Sequence, residues 1–315
     1  MNEGSRAAIV AAFLANLGIA VAKLVAFAFT GAASMLAESV HSLADTGNQG
    51  LLMLGGHRAK QAADEAHPFG FGRERYFWAF VVAVVLFTLG SGFAMREGID
   101  KLLHPHEIDS PWWAVGTLLI AIGLESFSFR TAIRESGHVR GNRSLVRFIR
   151  TSKAPELPVV LLEDFGALIG LFLALVGIGL ATLTDNSRFD ALGSLGIGIL
   201  LGCIAVVLAV RMKSLLIGEA AGDDEIAAIR ESVERGEHVR CLYGLRTEHL
   251  GPEELLVAGK VEFDRHLSFP EIAREIDLAE ERVRARVPTA RLIYLEPDVF
   301  DPDHDRRRSG REDPA

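Results

Sequence analysis

The sequence predicts an α-helical membrane protein, with six transmembrane helices in residues 1–217 and a cytoplasmic α+β domain in residues 218–300. The expected order of the second part is ferredoxin-like, α-β-β-α-β. Three observations carry this reading. Long apolar runs fill the first two-thirds of the 315 residues. Charge is unevenly spread: residues 1–217 hold 18 basic and 17 acidic side chains, whereas residues 218–315 hold 15 and 24 and account for the net charge of −8. Basic residues also gather in alternate loops between the apolar runs, as cytoplasmic loops of membrane proteins do. The acidic balance argues against a nucleic-acid partner, and without a nucleotide-binding loop ATP-driven pumping has no support.

A spanning helix needs about 20 mostly apolar residues. Six runs meet that: Ala7–Thr30, Ala33–Leu54, Tyr76–Gly98, Trp112–Ala132, Leu157–Leu183 and Phe189–Met212. The first is long enough to span and lacks a convincing cleavage site, so it reads as a helix rather than a signal peptide. Trp112 and Trp113 open the fourth as an interfacial aromatic belt. Pro158 sits near the start of the fifth, where a missing amide does little harm. The loop after span two carries His57, Arg58, Lys60, Arg73 and Arg75. The loop after span four carries Arg134, Arg140, Arg143, Arg147, Arg150 and Lys153, with Glu135 as its acid. Both termini are therefore expected in the cytoplasm, of the inner membrane if the cell is bacterial.

Past Met212 the pattern changes. "DDEIAAIRESVERG" reads as an amphipathic helix with an acidic start. "VRCLYGLRTEHLG" and "ELLVAGKVEFD" read as strands joined at Gly251-Pro252. "SFPEIAREIDLAEERVRARVP" has a Ser268 cap and helical periodicity, and "ARLIYLEPD" is a last strand. The composition of residues 301–315 predicts disorder. Cys203 and Cys241 have no neighbour at metal-finger spacing, so neither a disulfide nor a Cys-based zinc site is expected.

Ionisable groups inside a span cost ~2.5–3.5 kcal/mol each near its centre, so they face a cavity or one another. Span two carries Glu38, His41, Ser42, Asp45, Asn48 and Gln49; span five carries Glu163 and Asp164. His41 and Asp45 are one helical turn apart, which lets an imidazole and a carboxylate reach one small cation. Two carboxylates and an imidazole on two spans make costly glue, whereas a divalent cation offsets their charge. Asn16 reads as an interhelical hydrogen bonder, with a supporting role at a site as the alternative. Asn48 and Gln49 divide evenly between those two roles. Adjacent residues point about 100° apart on a helix, so Glu163 and Asp164 cannot both face one site squarely. Glu163 is a second ligand at a distorted angle, a proton acceptor, or a partner to a basic residue.

With "SMLAESVHSLADTGNQGLLMLG", "HPFGFGRERYFWAF" and "DALGSLGIGILLG" in place, the chain resembles the cation diffusion facilitator family of zinc and other divalent-metal transporters. The version found here is similar to the animal mitochondrial and nuclear-type zinc transporters. The resemblance implies a homodimer in the lipid bilayer that exports a cytosolic divalent metal in exchange for protons. It implies a transport site of two residues on span two, His41 and Asp45, and two on span five. There the usual His-x-x-x-Asp falls on Val160 and Asp164, which makes Asp164 the primary choice and leaves the fourth ligand to Glu163, Asn48, Gln49 or water. A second metal position in the loop matches at Asp64 and His67, with Phe71 where another histidine is usual; His67 before Pro68 has loop shaping as its alternative. Arg73 matches a basic position that helps lock the dimer. In the soluble domain Tyr243 and Tyr294 replace metal-binding histidines, leaving Glu296, so dimerisation there without a binuclear metal centre is expected. His104, His106, His238, His249, His266 and His304 show no ligand spacing and read as solvated.

The expected function is secondary export of divalent metal by proton antiport with alternating access. Zinc leads, because imidazole suits it, while the carboxylates would also take iron, manganese, cobalt or cadmium. Two rivals stand beside it. A membrane-embedded metalloprotease would need an HExxH helix, which the chain lacks. A metal sensor or scaffold would bind ions without moving them.

Overall fold

The computed structural model describes residues 33–104 and 111–299, with residues 13, 17, 18, 20, 21, 24, 25 and 28 before them; at 33–42, 44, 45, 86, 87, 111, 113 and 138 it describes backbone alone. The expected span Ala7–Thr30, Asn16, His106, His304 and the tail 301–315 therefore lie wholly or largely outside the described residues. The chain divides into two compact units, Met1–Leu216 and Ile217–Ala315.

The first unit is helical. Helix α1 is Ala33–Arg58, and α2 runs over Glu74–Leu103 with a π-helical stretch at Val82–Phe87. Helix α3 is Pro111–Arg140, α5 is Glu156–Thr184 and α6 is Arg188–Ile217. Among the described residues four helices are long and apolar enough to cross a membrane, Glu74–Leu103, Ala114–Gly137, Glu156–Thr184 and Arg188–Ile217; they correspond to the last four of the six expected spans. Their outward surface suits hydrocarbon: Phe93 and Phe127 expose 72% and 75% of their surface. An element not foreseen, α4 at Leu145–Thr151, lies in the basic loop after α3. Ser144 caps it by accepting from the Arg147 amide, and Phe148 anchors it at 1% exposure.

Helix α5 lies between two apolar clusters, and its register decides what each face meets. Val159 joins Leu52 of α1, Tyr76, Ala79, Val82 and Ala83 of α2, and Ile204 and Leu208 of α6. Leu161 joins Ala132 of α3 and Phe148 of α4. At the start of α5 the half-turn Pro155–Pro158 needs no amides from its prolines. There Glu156, nearly buried, pairs with Arg75 Nε of α2 at 2.5 Å. At its end Asp185 takes a left-handed cap with φ 50°, a conformation that Asp tolerates better than most residues.

Helices α2 and α6 approach backbone to backbone. A Cβ on Gly98 would stand 2.8 Å from the Leu195 amide nitrogen and 3.0 Å from the Ala191 carbonyl oxygen. Ser91 Oγ donates to the Gly198 carbonyl at 2.6 Å across the same contact, and Lys101 pairs with Asp190 at 2.9 Å near its end.

The second unit has the expected α-β-β-α-β order. Helix α7 is Asp223–Glu234, β1 is Val239–Gly251, β2 is Glu254–Phe263, α8 is Phe269–Arg286 and β3 is Ala290–Pro297. The sheet order is β1-β2-β3, antiparallel between β1 and β2 and parallel between β2 and β3, with α8 as the crossover. Strand β2 alternates in burial as one covered face requires. Leu255, Val257, Val261 and Phe263 point toward Ile229 and Val233 of α7 and Ala279 and Val283 of α8. Ser268 opens α8 in a capping box with Glu271.

Of the histidines expected to be solvated, His266 is exposed and His238 half-buried, but His249 is not solvated. His249 is 2% exposed, with Nε2 3.8 Å from Glu225 Oε2. That imidazole, followed by the Gly222 amide, holds the Glu225 carboxyl below its ordinary range against the cost of partial burial. His238 and His266 come together beside Asp264. Spacing along the chain did not reveal this because a strand pairing and a turn, not a helix, bring them together.

The contact between α2 and α6 gives a two-sided prediction. Gly98→Ala should destabilise the protein by ~1–3 kcal/mol, because backbone on α6 cannot give way. Gly92→Ala, where nothing lies within 4 Å, should be neutral or stabilising by up to about 1 kcal/mol through helix propensity. Thermal unfolding in detergent reads both; equal effects would contradict the close approach.

Candidate metal-transport site

The two carboxylates of span five are turned to different helices. Glu163 follows Val159 by four residues and shares its face; Asp164 follows Leu161 by three and shares the opposite one. Glu163 Oε1 accepts a hydrogen bond from Asn48 Nδ2 of α1. Asp164, 9% exposed, accepts at Oδ2 from Ser128 Oγ of α3 at 3.0 Å. The resemblance makes Asp164 the primary span-five ligand; among the described side chains, Glu163 hydrogen-bonds α1.

Asn48 marks the face of α1 that matters. At about 100° per residue, positions 41, 45 and 48 fall within an arc of roughly 60°. The side chains of His41 and Asp45 lie outside the described residues. Asn48 is 4% exposed, and its Oδ1, like Oε1 of Gln49, is buried and accepts no hydrogen bond among the described residues. Such acceptors inside a bundle are costly. A cation, or a water bound to one, would satisfy them.

The remaining sequence candidates separate. Asp64 and His67 do meet, exposed, with Nδ1 of His67 3.1 Å from Oδ1 of Asp64. The same Oδ1 accepts from the His67 amide at 2.6 Å, and that amide is the main reason the Asp64 carboxyl lies below its ordinary range. His67 also packs on Phe71, ring centroids 4.4 Å apart. These contacts shape the loop by themselves. Arg73 opens α2, its carbonyl accepting from the Tyr76 and Phe77 amides.

In the soluble domain Tyr243 is registered opposite Lys260, and Lys260 opposite Glu296. The Lys260 ammonium binds the Asp298 carboxylate and lies 3.8 Å from Glu296. A positive charge thus stands beside Tyr243, Glu296 and Asp298. Ser128, the donor to Asp164, is not among the candidates read from the sequence.

A double-mutant cycle tests the link between α1 and α5. Asn48→Ala should cost ~1.5–3 kcal/mol by removing a donor to a half-buried carboxylate, and much less on a Glu163→Gln background. Coupling below about 0.5 kcal/mol in unfolding measurements would mean that the two side chains do not meet.

Comparison with known proteins agrees with this architecture. The cation efflux transmembrane domain model matches residues 9–217. The mitochondrial proton-coupled zinc antiporter SLC30A9 of Xenopus laevis is 36% identical over 274 residues, covering 85% of this chain and 48% of that protein. Its Homo sapiens counterpart is 34% identical over 245 residues, covering 77% and 43%. The chain thus spans about half the length of these curated relatives. The cation-efflux pump FieF of Pectobacterium atrosepticum is 28% identical over 305 residues, covering 96% of this chain and 95% of that pump. Helices fit for a bilayer, carboxylates turned inward from them, and a family model covering two-thirds of the residues lead to one conclusion: the chain belongs to the cation efflux, or cation diffusion facilitator, family of metal transporters and is not an enzyme.

Proposed function

We propose that the protein exports a divalent metal, zinc first, from the cytosol in exchange for protons, working as a homodimer with both termini in the cytoplasm. The observation that carries this is the Asn48–Glu163 hydrogen bond, which sets a half-buried carboxylate of α5 against the face of α1 that bears positions 41 and 45. Support also comes from the names of the relatives, a proton-coupled zinc antiporter and a cation-efflux pump.

The chemistry follows from competition for the same atoms. Zinc takes a neutral imidazole nitrogen and carboxylate oxygens, so its arrival at His41 and Asp45 displaces protons held there. Glu163 joins by exchanging the Asn48 amide for the ion. Asp164, released from Ser128, is the second carboxylate on the same turn. Exposure of the site to the opposite side lets protons return and compete the ion off. A change of access that moves α5 relative to α1 and α3 alters both hydrogen bonds together, which couples occupancy to conformation. One imidazole among oxygens also leaves room for iron, manganese, cobalt or cadmium.

In sealed vesicles His41→Ala and Asp45→Ala should each abolish zinc uptake, and collapsing the proton gradient should slow the unaltered protein. Zinc binding without movement across the bilayer would convert the reading to a sensor or scaffold. Full uptake in either variant would remove the site.

A further inference from the structure

Ligand-bearing side chains outside the membrane domain gather at one end of the β1-β2-β3 sheet. The β1–β2 ladder closes with Val239 paired to Phe263. One residue beyond it the Asp264 amide donates to the His238 carbonyl at 3.0 Å, so these two positions are held across the strands. Asp264 then accepts at its own carbonyl from the Leu267 amide at 3.3 Å, a turn that folds His266 back. The rings of His238 and His266 stand edge to face with centroids 6.0 Å apart. One ligand atom from each of His238, Asp264 and His266 lies within 4.8 Å of the others.

We propose that His238, Asp264 and His266 form a zinc-binding site on the soluble domain, separate from the transport path. Two imidazoles and a carboxylate are a zinc donor set, with water in the fourth place. Bond lengths of about 2.0–2.2 Å put the donors of a tetrahedral zinc about 3.4 Å apart. His238 Nδ1 and Asp264 Oδ2 already stand at 3.4 Å, and small rotations of the exposed His266 bring in the third donor. Arg240 Nε binds Asp264 Oδ1 at 2.9 Å, which orients the carboxylate with Oδ2 toward His238, as outer contacts orient metal ligands. Glu271 is kept out of the set by its Ser268 contacts, 2.7 Å to the amide and 2.6 Å to the hydroxyl. The site involves none of Tyr243, Lys260, Tyr294 or Glu296.

The test uses the full chain in detergent carrying His41→Ala and Asp45→Ala, so that its outcome is independent of transport. Carbethoxylation of histidines is followed by mass spectrometry with and without zinc chloride. Zinc should protect His238 and His266 while leaving the exposed His104 as reactive as before. Asp264→Asn should abolish that protection and lower the zinc bound by one ion per chain, with unfolding temperature unchanged in zinc-free buffer. Equal reactivity of His238 and His266 with and without zinc would overturn the site, whatever the variant does.

Discussion

The two adjacent carboxylates of α5, Asp164 buried and Glu163 half-buried, are the constraint on which the membrane domain turns. Each needs a donor or a cation, because an ionised group in an apolar bundle is otherwise forced to neutralise. Helical geometry sends them to different neighbours, and two different helices answer: α1 with Asn48 and α3 with Ser128. Both donors are neutral, so neither cancels the charge.

Packing around α5 makes this possible. Val159 and Leu161 commit opposite faces of the helix to separate apolar clusters, which fixes its rotation, and the Arg75–Glu156 pair fixes its first turn against α2. With rotation and entry set, Glu163 and Asp164 have little choice of partner. The backbone contact at Gly98 plays the same part between α2 and α6. A bundle of this kind is assembled by close fit rather than by expulsion of water, since lipid is as apolar as its core.

Much of this was legible in the sequence. Apolar runs gave the last four spans to within a turn or so at most ends, and alternation with caps gave the soluble domain its order. The exceptions are tertiary. Helix α4 is too short to show periodicity and depends on one anchor, Phe148. The different orientations of Glu163 and Asp164 follow from which neighbour packs on Val159 and which on Leu161, a fact absent from the local pattern. His249 looks like any charged-region histidine until α7 is folded over it. His238 and Asp264, 26 residues apart, become neighbours through strand register.

Locating zinc directly decides the central claim, that one ion is held between α1 and α5. Diffraction from zinc-soaked crystals, collected on both sides of the zinc absorption edge, places the metal without reference to any variant. The account predicts an anomalous peak inside the bundle, within coordination distance of Glu163 or Asp164 and of residues 41 and 45. A bundle empty of anomalous signal at saturating zinc, or a peak that α5 does not touch, would contradict it.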